Sequence, residues 1–217
     1  QLVHDGQGDV LMKGLCSTDK FLRAILNKET GLLPPKALLS HVGIIESPNY
    51  HKLLFLTDMA VVPLPDLKQK MTLANYVVKI ARSFGIAKPK VAFIAASEQV
   101  LASMPACLEA AALAKMADRG QIKGCIADGP LALDVAIDNE SVEIKKLTSP
   151  VAGDADCLVF PNIESANVFW KTNSKLATGV RQAGMLVGTT APCILASRAD
   201  SVDTKLNSIA EAVMSVK

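Results

Sequence analysis

The sequence is short of aromatic rings, of histidine and of charge of one sign, and each shortage closes off a class of function. Six Phe, two Tyr and one Trp in 217 residues make a poor base-stacking platform. Lys plus Arg number 23 against 21 Asp plus Glu, a net charge of +2. With no run of five basic residues, bulk electrostatics gives no reason to expect a nucleic-acid partner. No apolar stretch approaches the roughly 20 residues that span a bilayer. The richest, around Ala106–Met116, is broken by Glu109 and Lys115, so no membrane segment is expected. The polar start, Gln1–Gly8, does not read as a signal peptide. The five cysteines (Cys16, Cys107, Cys125, Cys157 and Cys193) are never spaced CxxC and read as reduced thiols of a cytoplasmic protein. His4, His41 and His51 form no HExxH or comparable pair, so no metal is expected. His41 and His51 fall in strand-like segments and read as hydrogen-bonded structural histidines.

What remains is aliphatic. Half the residues are apolar, enough to bury a substantial core in one large domain or two modest ones. Short β runs alternate with helical patterns. Asp9–Lys13 reads as a strand ended by Gly14, and Ser17-Thr18-Asp19 as the N-cap of a helix carrying Phe21, Leu22, Ile25 and Leu26. Residues 37–46 and 51–57 read as a hairpin around Ser47-Pro48-Asn49. Asp66 caps a long helix that Gly85 ends. Further strands are expected at 90–95, 124–127, 157–160 and 192–196, and further helices at 105–119, 165–176 and from Asp200 or Ser201 to about 216. Alternation of this kind predicts an α/β fold with a largely parallel sheet, whose ligands gather outside the carboxyl ends of strands.

Four such ends carry polar groups. Lys13-Gly14-Leu15-Cys16-Ser17-Thr18, with Arg23 beyond, leads a strand into a capped helix and can cradle an oxyanion or phosphate; an ordinary N-cap with a solvated Arg23 fits the same residues. Ser197-Arg198-Ala-Asp200-Ser201-Val-Asp203 offers a guanidinium fork for phosphate oxygens with acids beside it; helix capping also explains the acids. Asp128-Gly129-Pro130 is a turn with an acid at a strand end, in an Asx role or a binding one. Asn162 and Asn167 can fix a polar ligand or cap a helix. Neither GxxxxGK[ST] nor GxGxxG occurs, so the common nucleotide loops are unsupported.

Taken in order, Leu11-Met-Lys-Gly-Leu15, Ser17-Thr18 with Arg23, Leu39-Ser-His41, Thr57-Asp58-Met-Ala60, Pro65-Asp66-Leu67, Met104-Pro105, Asp128-Gly-Pro-Leu-Ala-Leu-Asp134, Ser149–Asp154, Phe160–Glu164 and Ser197–Ser201 resemble the phosphate acetyl/butyryltransferase family. The Met-Lys-Gly-Leu and Asp-Gly-Pro-Leu versions look closer to its butyryl branch. The resemblance implies an isocitrate/isopropylmalate dehydrogenase-like fold of two α/β domains with largely parallel sheets, the first from residues 1–34 plus 185–217 and the second from 35–184. It implies a cleft between them and a homodimer. Family members are longer at the N-terminus, and the absence of an initiating Met leads to the expectation that residues are missing there.

The implied reaction is acyl-CoA + phosphate ⇌ acyl phosphate + CoA, with coenzyme A as substrate, no tightly bound cofactor and no metal. By motif, Arg198 and Ser197 would bind the acyl phosphate oxygens, with Ser17, Thr18 and Arg23 facing them. Lys13, Asp128, Pro130, Asn162 and Asn167 would line the cleft or hold CoA. A general-base Asp is implied shortly after the Ser-Arg pair, where Asp200 and Asp203 both lie. A non-catalytic acyl-CoA-binding module of the same fold is the alternative. A dehydrogenase of that fold would need a cluster of metal-binding acids and a cofactor loop.

Overall fold

The apolar strand runs assemble into one sheet. In the computed structural model, which describes residues 1–197 and 199–216, the elements follow as β1 (Leu11–Met12), α1 (Thr18–Ile25), β2 (Ser40–Glu46), β3 (Leu54–Thr57), α2 (Leu67–Ser83), β4 (Lys90–Ile94), α3 (Pro105–Asp118), β5 (Ile126–Leu131), α4 (Leu133–Ile137), α5 (Asn139–Lys145), β6 (Cys157–Val159), α6 (Ile163–Leu176), β7 (Arg181–Val187), β8 (Cys193–Ile194) and α7 (Val202–Ser215). The eight strands lie in the order β1-β8-β7-β2-β3-β6-β4-β5. The pairs β1–β8, β3–β6, β6–β4 and β4–β5 are parallel, whereas β2 is antiparallel to both its neighbours and β7 is antiparallel to β8. The fold is α/β with a mostly parallel sheet, as expected.

Strand β2 divides the two faces by its period of two. Val42 and Ile44 pack with Val77, Val78 and Ala81 of α2 and Ala212 of α7. Ile45 packs on the other side with Val135 of α4 and Ala166 of α6. Asp66 caps α2 through the N–H of Gln69 in a full capping box, which is why that helix starts where its apolar stripe does. A smaller cluster, Phe21, Ile25, Leu32, Leu39, Leu186 and Cys193, seats α1 against β7 and β8.

Three expectations need correction. The strand near 124–127 does not stop at Asp128-Gly-Pro: β5 runs through Leu131, pairing Ile126, Ala127, Asp128 and Leu131 with β4. Pro130 is tolerated there because β5 is an edge strand. Strand β7 was not anticipated. It nevertheless makes the longest ladder in the sheet, from Ser40↔Val187 to Glu46↔Arg181. Nor do all the strand ends meet on one edge, because three antiparallel steps, β3–β2, β2–β7 and β7–β8, leave β8 and β1 reversed relative to β3, β6, β4 and β5.

Candidate active site

Two glycines prepare the site. Gly43 of β2 and Gly184 of β7 are cross-strand partners. A Cβ on Gly43 would lie 2.7 Å from the Trp170 ring, and one on Gly184 would lie 2.6 Å from the His41 ring. Their missing side chains let both rings lie against the sheet. The rings meet edge to face with centroids 6.5 Å apart. Over this floor opens a cleft of about 640 Å³.

One wall is the β1–α1 turn, with Lys13, Ser17 and Thr18. Lys13 is buried and its ammonium donates to the carbonyls of Gly14 (3.4 Å) and Cys16 (3.3 Å). Ser17 caps α1 by accepting the Lys20 N–H, and the free N–H groups of the first turn favour an anion. The opposite wall is one stripe of α6: Asn167, Trp170, Lys171, Ser174 and Lys175, at the helical spacings of three and four. The segment after β8 closes the end with Ser197 and Asp200. There the Asp200 carboxylate accepts the Ser197 N–H at 2.6 Å, and the Ser197 hydroxyl accepts the Ala199 N–H at 3.2 Å. Lys13, Lys171 and Lys175 have no carboxylate within ion-pair distance among the described residues. The lining therefore carries more positive than negative charge.

Asp58 fixes the floor. Its buried carboxylate accepts the Ser40 hydroxyl (2.8 Å) and the backbone N–H groups of His41 (3.2 Å), Ala60 (2.7 Å), Val61 (2.9 Å) and Val62 (3.3 Å). These bonds bind the turn after β3 to the start of β2. Asn167 reaches the same turn by donating to the Met59 carbonyl at 2.9 Å. His41 is buried with its Nδ1 against the Met59 sulfur. Burial lowers its pKa below the usual 6.5, outweighing the charges of Asp58 and Asp200 that oppose the shift. The imidazole is therefore neutral at pH 7.

The structure thus brings together Lys13, Ser17, Thr18, Asn167, Ser197 and Asp200 of the residues singled out in the sequence. Arg198 lies outside the described residues. Arg23 is not in the cleft: α1 buries Phe21 and Ile25, which turns residue 23 to solvent, where its guanidinium pairs with Asp19 at 3.0 Å. Asn162 caps α6 through the Ser165 N–H and does not line the cleft. Asp203 sits exposed in the first turn of α7, complementing the helix dipole. Asp128 accepts the N–H of Gly129, and both Asp128 and Pro130 lie on the edge strand β5 at the far end of the sheet. His41 was read as structural, and Trp170, Lys171 and Lys175 went unnoticed; the polar stripe of α6 was the available signal. Among the described residues no group of three or more His, Cys, Asp or Glu is placed to hold a metal ion.

Comparisons with known proteins point the same way. The family model described as phosphate acetyl/butaryl transferase matches residues 1–213. A phosphate butyryltransferase of Clostridium acetobutylicum is 50% identical over 214 residues, covering 99% of this chain and 70% of that protein. The crystal structure of a branched-chain phosphotransacylase from Enterococcus faecalis superposes with a TM-score of 0.90 at 32% identity, over 99% of this chain and 76% of that one. A 4-hydroxythreonine-4-phosphate dehydrogenase from Klebsiella pneumoniae shares the fold alone, with a TM-score of 0.55 at 11% identity over 100% of this chain and 67% of that one. With its polar cleft, its fold and nearly its whole length in register with these enzymes, the chain belongs to the phosphate acetyl/butyryl transferase family.

Proposed function

We propose that the protein transfers a short-chain acyl group, butyryl above all, reversibly between coenzyme A and inorganic phosphate. The observation that carries this reading is the positively lined cleft, which sets the hydroxyls of Ser17, Thr18 and Ser197 around one space with Lys13, Lys171 and Lys175. Phosphate, acyl phosphate and the CoA phosphates are all anions, and cations and helix N–H groups in a partly dry cleft meet their charge.

In the acyl-phosphate-consuming direction, the CoA thiol gives its proton to a carboxylate. The thiolate sulfur then bonds to the acyl carbon, the carbon–oxygen bond to phosphate breaks, and the phosphate leaves with the bonding pair and the proton. Asp200 suits the proton's carrier better than Asp203, since Asp200 lines the cleft and, among the described residues, only its Oδ2 is committed, to Ser197 N–H. Ser197, with Arg198 next to it in sequence, would meet the carbonyl and phosphate oxygens. Ser17 and Thr18 would hold the phosphate, and the Lys171–Lys175 stripe would take the CoA phosphates. Holding both substrates in line supplies much of the remaining acceleration. No step calls for a tightly bound cofactor or a metal.

The same reading includes a cytoplasmic homodimer whose first domain is 1–34 with 185–217 and whose second is 35–184. Among the described residues no helix is long and apolar enough to cross a membrane. Acyl-CoA of two to six carbons is offered with phosphate or arsenate, and free thiol is followed. CoA release with a maximum at four carbons is the expected result. Binding of acyl-CoA without release would replace transfer with the non-catalytic module. Sedimentation of the same sample tests the dimer.

A further inference from the structure

Behind the sheet from the cleft lies a second cavity, of about 200 Å³, between α7, the end of α2 and strands β2 and β7. Its walls are Ile44, Leu53, Phe84, Ala183 and Met214. Glu211 of α7 lines it while being 1% exposed, and neither of its carboxyl oxygens has a hydrogen-bond partner among the described residues. Among the described residues no buried cation answers it. The charged groups at the cavity, Glu46 of β2 and Arg181 of β7, are both exposed and lie 3.6 Å from each other. The amide of Asn207, on the same helix, donates to the Gln182 carbonyl, and the amide of Gln182 donates to the Trp170 carbonyl. Burial alone pushes the Glu211 carboxyl well above its usual range.

A carboxyl group left without a partner in an apolar enclosure is costly, and the proposed reaction does not use it. In its neutral form it sets one O–H donor beside one carbonyl acceptor. A primary carboxamide presents the complementary pair, an N–H beside a C=O, and remains neutral at every physiological pH. An ammonium ligand would require Glu211 to ionise and two charges to lose water among Ile, Leu, Phe and Met side chains, which their attraction barely offsets. With about 30 Å³ for a water molecule in the liquid, the cavity suits a molecule of roughly six non-hydrogen atoms.

We propose that this cavity is a binding site, separate from the cleft, for a small neutral carboxamide whose apolar body contacts Phe84 and Met214 and whose amide pairs with Glu211. Butyramide at millimolar concentration, titrated calorimetrically into the full chain, tests it. The expected result is saturable binding to the parent protein, weakened at least tenfold in Glu211→Leu and kept within about threefold in Glu211→Gln, which preserves a donor and an acceptor. The melting transition of each variant without ligand shows that it is folded. No binding to the parent overturns the proposal. So does equal binding to Glu211→Leu, which would place the amide elsewhere. Binding of butylammonium in place of butyramide, abolished by Glu211→Gln, would overturn the neutral pairing. None of these results bears on acyl transfer, which is read from thiol release.

Discussion

Asp58 and Glu211 are carboxyl groups of nearly equal burial, 2% and 1% exposed, on either side of the β2–β7 ladder. Asp58 takes five donors and Glu211 takes none among the described residues. Burial is the same; supply of donors is not. Where the backbone turns its N–H groups inward, a carboxylate becomes a structural rivet. Where it is surrounded by helix interior and aliphatic side chains, burial pushes the pKa of an acid up. The cleft side of the ladder spends its polar groups on shape, and the far side leaves one in reserve.

The contrast can be broken most directly at Asp58. Asp58→Ala strands four backbone N–H groups, two of them on buried residues, and a buried hydroxyl, and is expected to lower unfolding free energy by roughly 3–5 kcal/mol in urea denaturation. A loss under 1 kcal/mol would mean that water replaces the carboxylate without penalty. Next in size is turnover. Ser197→Ala, or Arg198→Ala, is expected to lower the rate of thiol release on the order of 10²-fold, about 2.7 kcal/mol. Glu211→Leu should leave that rate within twofold, so an equal fall in both would join the two sides into one site.

Third, Glu211→Leu should raise stability by about 1–3 kcal/mol, because it removes an unsatisfied buried group. Destabilisation would reveal a partner for the carboxyl. Fourth, pH should separate the two faces by sign. As pH falls below 6.5, the unfolded chain protonates its histidine while His41, its pKa lowered by burial, stays neutral. That part of the stability is present above 6.5 and declines in more acidic solution. Glu211 is raised, so its contribution is present below the ordinary value of 4.5 and declines as pH rises above it. Each slope is at most about 1.4 kcal/mol per pH unit. His41→Gln should flatten the first limb and Glu211→Gln the second, in equilibrium unfolding measured from pH 4.5 to 8.

The smallest effect is expected at the amino-terminal edge of the sheet, where β3, β4 and β6 begin. There Asp154 is partly buried, which would raise its pKa, but hydrogen bonds from Lys52, Lys90 and His51 outweigh this and hold it well below the usual carboxylate range. His51 is more than half exposed, so His51→Ala should cost no more than about 0.5 kcal/mol. A larger loss would make that edge as cooperative as the Asp58 turn.

How much of this was legible in the chain follows from the range of the physics. Capping and periodicity are local, so α2 with Asp66, α3 with Pro105 and the hairpin of β2 and β3 could be read directly. Strand β7 could not, because Gly184 breaks its apolar run, and that glycine is there for a ring on the neighbouring strand. The Asp128 turn looked functional because a strand end with an acid is a common binding place. Strand direction decides which ends meet, and direction is set by pairings more than a hundred residues apart. Ser17, Thr18, Ser197 and Asp200 were recoverable from their loops. His41 was not, since only the tertiary fold puts its ring under the cleft.

Trp170 is the only tryptophan in the sequence, and it stands in the cleft wall beside His41. Excited at the red edge of its absorption, where tyrosine does not absorb, the indole emission of this chain therefore originates at one place. A ligand that displaces water from the indole shifts the emission maximum, and a protonated imidazole at that distance quenches it. Occupancy of the cleft can be followed in the unlabelled chain through that one indole.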